Sequence, residues 1–369
     1  MATPLKLIYN EAFFEELTTC LRHSLPSLDT GALVKDIRNS DWEKMELKQR
    51  MAHIAHTLYR YLDGDYRKKL AQLLRLVAAL PKNSKVQYSS LAYMYIPEVL
   101  SQFGLGHVMI SLKAMEKINL VTSCEFAIRP FLLAEEAVVM KQMLVWSKHP
   151  HENIRRFASE GCRPRLPWGA AISSFKNDPT PIFPILENLK ADDSLYVRKS
   201  VANSLNDISK DHPAQVVEIV KKWQGISKET DWIIKHACRG LVKTGNKEIL
   251  QLLGTGSNVK YKLAGVKLSA VQVRLGGELS FEFFIELSEK KESRLRLAYA
   301  IYYRKANGSL ARKLFHIRED KFAPAKKVKF SRRHCFQDLS TRKHYEGAHF
   351  LAIIVNGNEG KKIEFNLLF

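Results

Sequence analysis

The residues whose types and spacing could do chemistry here are carboxylates set among basic and aromatic neighbours. Two stretches hold them. In TSCEFAIRPF, Glu125 stands beside Arg129 and Pro130. In HPHENIRRFASEGCRPRLPWG, His149 to Gly169, Glu160 follows Arg156 by four residues and precedes a corner of two arginines, two prolines and Trp168. A carboxylate in such company could act as an acid, a base or a fixed negative charge. Each also has a plainer reading. Thr122-x-x-Glu125 fits a capping box, in which the glutamate returns to the cap amide. Arg156 and Glu160 would share one helix face and could simply pair. The RPRLPW corner is harder to reduce to a connection, because its prolines fix the backbone and its charges are costly to crowd.

No conventional motif competes with these stretches. The sequence has no P-loop, no GxSxG, no HExxH and no GxGxxG. His149 and His151 are two apart with no third ligand near, so neither a metal nor another cofactor is expected.

The elements that must position these residues read as helices up to about residue 252. Glu11 to Leu21, Trp42 to Leu62 and Leu70 to Leu80 carry apolar residues at helical spacing, and Pro81-Lys82-Asn83-Ser84 ends the third. IPEVLSQFGLGHVMISLKAMEKI and FLLAEEAVVMKQMLVW continue the pattern. From His149 the helices acquire a repeat. NIRRFASEG, YVRKSVANSLNDIS and IIKHACRGLVKTG each join a branched apolar residue, a basic residue and small residues on the next turn. Their starts near Ile154, Val197 and Ile234 bracket the period of about 40 that marks HEAT or armadillo helix pairs. Such pairs bury their apolar faces only by stacking into a solenoid.

Helical periodicity stops at LLGTGSN, with residues 253–258 read as a linker. The remaining 259–369 hold about seven short aromatic and β-branched runs separated by turn signals, the pattern of an immunoglobulin-like sandwich. Tyr345, just before Gly347, could form a tyrosine corner. The fold class expected is therefore mainly α, a HEAT-like solenoid in residues 1–252 followed by a C-terminal Ig-like β-sandwich.

Charge points to a partner. The chain carries 58 Lys and Arg against 38 Asp and Glu, a net +20, which favours nucleic acid ahead of a membrane surface. The β region is the more basic part per residue, with 23 cations against 11 acids from Asn258 onward. Lys326, Lys327, Lys329, Arg332 and Arg333 form its densest run, and alternation would put some of them on one face for phosphate contact. Five cysteines, Cys20, Cys124, Cys162, Cys238 and Cys335, are odd in number and form no CxxC, so they read as buried thiols in a reducing compartment. The N-terminus lacks a signal pattern and no run of 18 apolar residues occurs, which places the protein in the cytoplasm.

TSCEFAIRPFL and HPHENIRRFASEGCRPRLPWG, followed by HEAT-like helices and an Ig-like tail, resemble the AlkC branch of the AlkC/AlkD DNA alkylation-repair glycosylases. The resemblance spans the whole chain and is most specific in SEGxRPRLPW. It implies removal of N3-alkylated bases such as 3-methyladenine from double-stranded DNA by a monomeric enzyme acting in base excision repair, which need not flip the base fully into a pocket. On that reading Glu125 and Glu160 are the catalytic carboxylates, stabilising an oxocarbenium-like sugar and orienting or deprotonating water. Trp168 stacks on the lesion or sugar, and Arg156, Arg163 and Arg165 hold flanking phosphates. Asp231 and Trp232 are a second carboxylate–aromatic pair of lower rank. A non-catalytic HEAT-repeat DNA or protein adaptor would explain the charge, repeats and β tail equally. A glycosylase/lyase would need an activated amine, which the sequence does not single out.

Overall fold

The computed structural model describes residues 4–254, 259–338 and 343–369. Residues 255–258, most of the stretch read as a linker, lie outside that description. The chain divides into two compact units, Met1–Asp211 with Gly225–Ile233 and His212–Gln224 with Ile234–Phe369.

The first unit is helical. Asn10 caps Glu11–Ser24 by accepting the Phe13 amide, and the stripe Phe13, Phe14, Leu17 and Leu21 is buried. The Trp42–Leu62 periodicity is split into a 3-10 turn, Trp42–Lys44, and the helix Leu47–Tyr61. Glu46 and Gln49 form a capping box there, which restarts the helix after Met45. Gly104 likewise separates Tyr95–Phe103 from Val108–Ile118; a Cβ there would lie 2.6 Å from the Leu100 carbonyl. The helices Ile128–Ala134 and Glu136–Trp146 lead into Glu152–Gly161, the first helix of the repeat.

The period of about 40 reappears as hydrogen bonds between neighbouring repeats. Ser159 donates to Ser200 at 2.6 Å, Asn188 to Ser147 at 2.8 Å and the Thr230 hydroxyl to the Lys190 carbonyl at 2.9 Å. The recurring basic residue also finds its reason. Arg155 turns back to the carbonyls of His149 and Pro150, and Arg198 does the same to those of Asp192 and Asp193. Each arginine thus closes the turn that precedes its own helix, satisfying carbonyls that no helix reaches.

In the second unit β1 (Tyr261–Leu268), β3 (Glu278–Leu287) and β6 (Lys327–Cys335) form a three-stranded sheet in the order β1-β3-β6. The other sheet runs β2-β9-β7-β4-β5, built from β2 (Gln272–Arg274), β4 (Ser293–Arg304), β5 (Leu310–Phe322), β7 (Gly347–Val355) and β9 (Ile363–Leu368), with the short β8 (Asn358–Glu359) paired to β7. The core between the sheets is aromatic, with Phe281, Phe283, Phe336 and Phe365 buried. At the corner before Gly347 the buried side chain is His344, paired with Asp338, while Tyr345 stays partly exposed. The helices Arg239–Thr244 and Lys247–Leu252 belong to this unit; Leu250 approaches Gly357, and Gly245 approaches Leu314 of β5. Four cysteines are buried free thiols, but Cys335 is exposed at the end of β6, on the outward half of the strand's alternation.

Candidate active site

Glu160 sits in the last turn of Glu152–Gly161 and is 4% exposed. Small neighbours permit its burial: Gly161 lies against Met143 and Ile128, where a Cβ would be within 3.0 Å of both. Arg163 donates to Glu160 Oε1 at 2.5 Å and holds Asp207 through Nε and Nη2 at 2.9 and 2.8 Å. Arg156 Nη1 lies 3.5 Å from Oε2, donates to the Tyr196 carbonyl and stacks on the Tyr196 ring at 4.1 Å. Among the described residues Oε2 accepts no hydrogen bond. Burial alone would raise the pKa of Glu160, but Arg156, Arg163 and the Ser200 hydroxyl together outweigh it and hold the carboxyl below its ordinary value.

Glu125 reaches the same cleft from the segment before Ile128–Ala134. The capping box is not formed: Thr122 donates instead to the Ser90 carbonyl at 2.6 Å, and Glu125 accepts from the Ser123 hydroxyl at 3.1 Å. Burial and the nearby Glu160 raise its pKa, with Arg156 opposing them. Both glutamates, Arg156, Ser90, Asn119 and Tyr196 line a cavity of about 40 Å³. Two carboxylates in one cleft are thus driven in opposite directions, the arrangement that separates an anionic group from a proton acceptor.

The corner after Glu160 is fixed from below. Arg129, 1% exposed, donates to the carbonyls of Gly161 at 3.1 Å, Arg163 at 2.9 Å and Ala170. Burial lowers its pKa to about 10, so the guanidinium remains charged at neutral pH. Trp168 is 59% exposed with φ of 64°, a left-handed conformation that costs an L-residue about 1–2 kcal/mol. Lys48 ties it down, donating to its carbonyl at 2.8 Å while standing 5.0 Å over the Phe126 ring. Backbone strain of this kind persists only where the surroundings hold it, and it clusters at active sites and ligand clamps.

A family model described as DNA alkylation repair enzyme matches residues 50–241, a span that contains every residue of this cleft. The chain belongs to the DNA alkylation repair enzyme family. A second model, Uncharacterised protein YhaZ, C-terminal Ig-like domain, matches residues 262–369. The chain is similar to uncharacterized protein YhaZ of Bacillus subtilis (strain 168), at 39% identity over 98% of this chain and 99% of the relative. Among solved structures it is similar to Pseudomonas fluorescens alkylpurine DNA glycosylase AlkC bound to DNA containing an abasic site analog. There the TM-score is 0.84 and the identity 32%, with all of both chains covered.

In this alkylation-repair family member the other expected site residues separate. Arg163 is 6% exposed and committed to two carboxylates, so it braces the site and does not face a phosphate. Arg165 is partly exposed and paired with Asp211. Asp231 accepts the Gly225 amide at 2.9 Å and closes that turn, and Trp232 lies beneath Arg198 at 5.7 Å; neither lines the carboxylate cleft. On β6, Lys327, Lys329 and Arg333 point outward, whereas Arg332 turns the other way and donates to the Ile317 carbonyl. Lys326 precedes the strand. Lys329 pairs with Glu282 at 2.6 Å and Arg333 with Glu278 at 3.3 Å across to β3. Sequence reasoning alone does not single out Arg129, Asp207, Ser200 or Tyr196. The repeat could have flagged two of them: Ser200 and Tyr196 lie 41 and 40 residues from Ser159 and Arg156. Among the described residues no group of three side chains could hold a metal, and no helix is long and apolar enough to cross a membrane.

Proposed function

We propose that the protein is a monofunctional DNA glycosylase that hydrolyses the N-glycosidic bond of cationic N3-alkylated bases, such as 3-methyladenine, in duplex DNA. What carries the reading is the pair of glutamates with opposite pKa shifts in one small cleft. The relative's complex with abasic DNA supports the substrate class. Alkylation at N3 leaves the base positively charged, so the C1′–N bond breaks with its electron pair going to the base, which departs neutral without a protein acid. The sugar becomes oxocarbenium-like. Glu160, kept anionic by Arg156 and Arg163, supplies the negative charge that stabilises it, and its open Oε2 accepts from the attacking water. Glu125, the more basic carboxylate, takes that water's proton. A cavity of about 40 Å³ with polar walls has room for a water. The lesion would lie against Trp168 at the mouth of the cleft. The enzyme would act as a monomer, without metal or cofactor, on the cell's DNA in the cytoplasm.

The test is quantified base release from single-lesion duplexes with matched flanks. Release of 3-methyladenine but not of neutral uracil or hypoxanthine is expected. Comparable release of uracil would require a protein acid or base-specific pocket and would sink the mechanism. Binding without any release would leave the adaptor reading in its place.

A further inference from the structure

Two bulky residues of the helical unit occupy left-handed backbone, and the mechanism uses only Trp168. The other is Tyr88, at φ 54° and ψ 42°, which opens the short helix Ser89–Ala92. Glycine adopts this conformation freely, while a side chain with a Cβ is strained there. Packing offers no compensation, since Tyr88 is 60% exposed. Strain retained by an exposed aromatic is a feature of contact sites and not of cores.

The surroundings fix where that ring stands. The Tyr88 carbonyl accepts the amides of Leu91 at 2.8 Å and Ala92 at 3.0 Å, so its backbone is held. Two residues on, the Ser90 carbonyl accepts the Thr122 hydroxyl, and Ser90 and Thr122 are both walls of the carboxylate cleft. Tyr88 itself lines a separate groove at the N-terminal end of the same unit, with Arg38, Asn39 and Gln87. The ring thus borders a groove of mixed polar and apolar lining, and its backbone lies two residues from a wall of the carboxylate cleft.

We infer that Tyr88 is a second aromatic contact to the DNA strand, a positioning residue whose ring packs on a base or sugar beside the lesion. The inference rests on the glycosylase reading. Its chemistry is sequence-tolerant stacking, available because every base has a π-face, and it does not need the hydroxyl.

The experiment uses the full-length protein with Tyr88→Phe, Tyr88→Ala and Tyr88→Gly. Three things are measured: melting temperature, affinity for a duplex carrying an abasic-site analogue, and single-turnover release of 3-methyladenine at limiting and saturating protein. Tyr88→Gly should melt at or above the wild type, because strain is relieved, yet bind about tenfold more weakly. Tyr88→Ala should bind as weakly, and Tyr88→Phe should bind normally. The rate should fall at limiting protein and recover at saturation. A Tyr88→Gly protein that binds undiminished overturns the inference while leaving the glycosylase reading intact. One whose melting temperature and affinity fall together assigns Tyr88 a structural role and overturns it as well. A wild type that releases no base removes the glycosylase reading and the inference with it.

Discussion

The arginines around Glu160 and the cations of β6 are both dense basic runs in the sequence, and each reads there as a phosphate-binding patch. Folded, they differ in the energy at stake. Arg163 is buried between Glu160 and Asp207, and Arg156 is pinned between Glu160 and Tyr196. On β6, Lys329 and Arg333 lie on an open strand face, paired to glutamates one strand away. A buried charge must be matched at every contact or the fold suffers, whereas an exposed pair is screened by water and salt. The same composition therefore builds a rigid electrostatic frame in one place and a solvated surface in the other.

The largest effect that could break this comparison is on stability. Arg163→Ala should cost about 3 kcal/mol, the lower end for a broken buried pair, because Glu160 keeps only Arg156 at 3.5 Å and Asp207 only the half-exposed Lys210 at 3.0 Å. Lys329→Ala should leave the denaturation midpoint essentially unchanged. Urea unfolding of both variants decides the matter, and equal midpoints would mean that the Glu160–Arg163–Asp207 cluster is not buried in solution.

Much of this is legible in the sequence, for identifiable reasons. The helices and strands follow from apolar periodicity, and the repeat follows from a period that the hydrogen bonds Ser159–Ser200 and Thr230–Lys190 make physical. Glu125 and Glu160 stand out because each lies beside arginine in one of the two stretches that carry the family resemblance. What stays hidden is partnership across the repeat. Arg163 and Arg165 look alike in RPRLPW, yet one is buried on Asp207 and the other pairs with Asp211 nearer the surface. Arg129 looks like a neighbour of Glu125 but its guanidinium binds carbonyls more than 30 residues away. The strained backbone at Trp168 and Tyr88 leaves no trace in residue type, because neither is a residue that favours it.

Within the cleft itself the two glutamates sharpen the contrast. Glu125→Gln and Glu160→Gln should each lower single-turnover base release by about 10²-fold. Their effects on stability should have opposite signs. Glu125 has a raised folded-state pKa, so its ionised form is disfavoured by folding above that pKa, and Glu125→Gln should raise the melting temperature at pH 7. That gain disappears as pH falls to the ordinary carboxylate pKa of about 4.3, where the proton is bound in both states. Glu160 has a lowered pKa and stabilises the fold above the ordinary value, so Glu160→Gln should lower the melting temperature at pH 7. Its contribution fades as pH drops through the folded-state pKa. Wild-type activity should rise with pH as Glu125 ionises. Two melting shifts of the same sign would contradict the assignment of roles.

The smallest effect belongs to β6, and it asks whether the outward face touches DNA at all. Removing one cation that binds a phosphate flattens the plot of log affinity against log salt by about 0.9 on duplex DNA. Were Lys327, Lys329 and Arg333 all free to bind phosphate, replacing them with glutamine would change the slope by about 2.7. They are not free: Lys329 and Arg333 already face Glu282 and Glu278, and Lys327 lies over Phe284 at 4.5 Å. DNA must displace those glutamates to gain the cations, which reduces the net ion release. The triple variant should therefore shift the slope by about 1, with base release at saturating protein unchanged. A shift near the full value would show that the pairs open on binding and that this sheet is a principal DNA contact. No shift would assign the basic run to solubility, leaving the helical unit to hold the duplex.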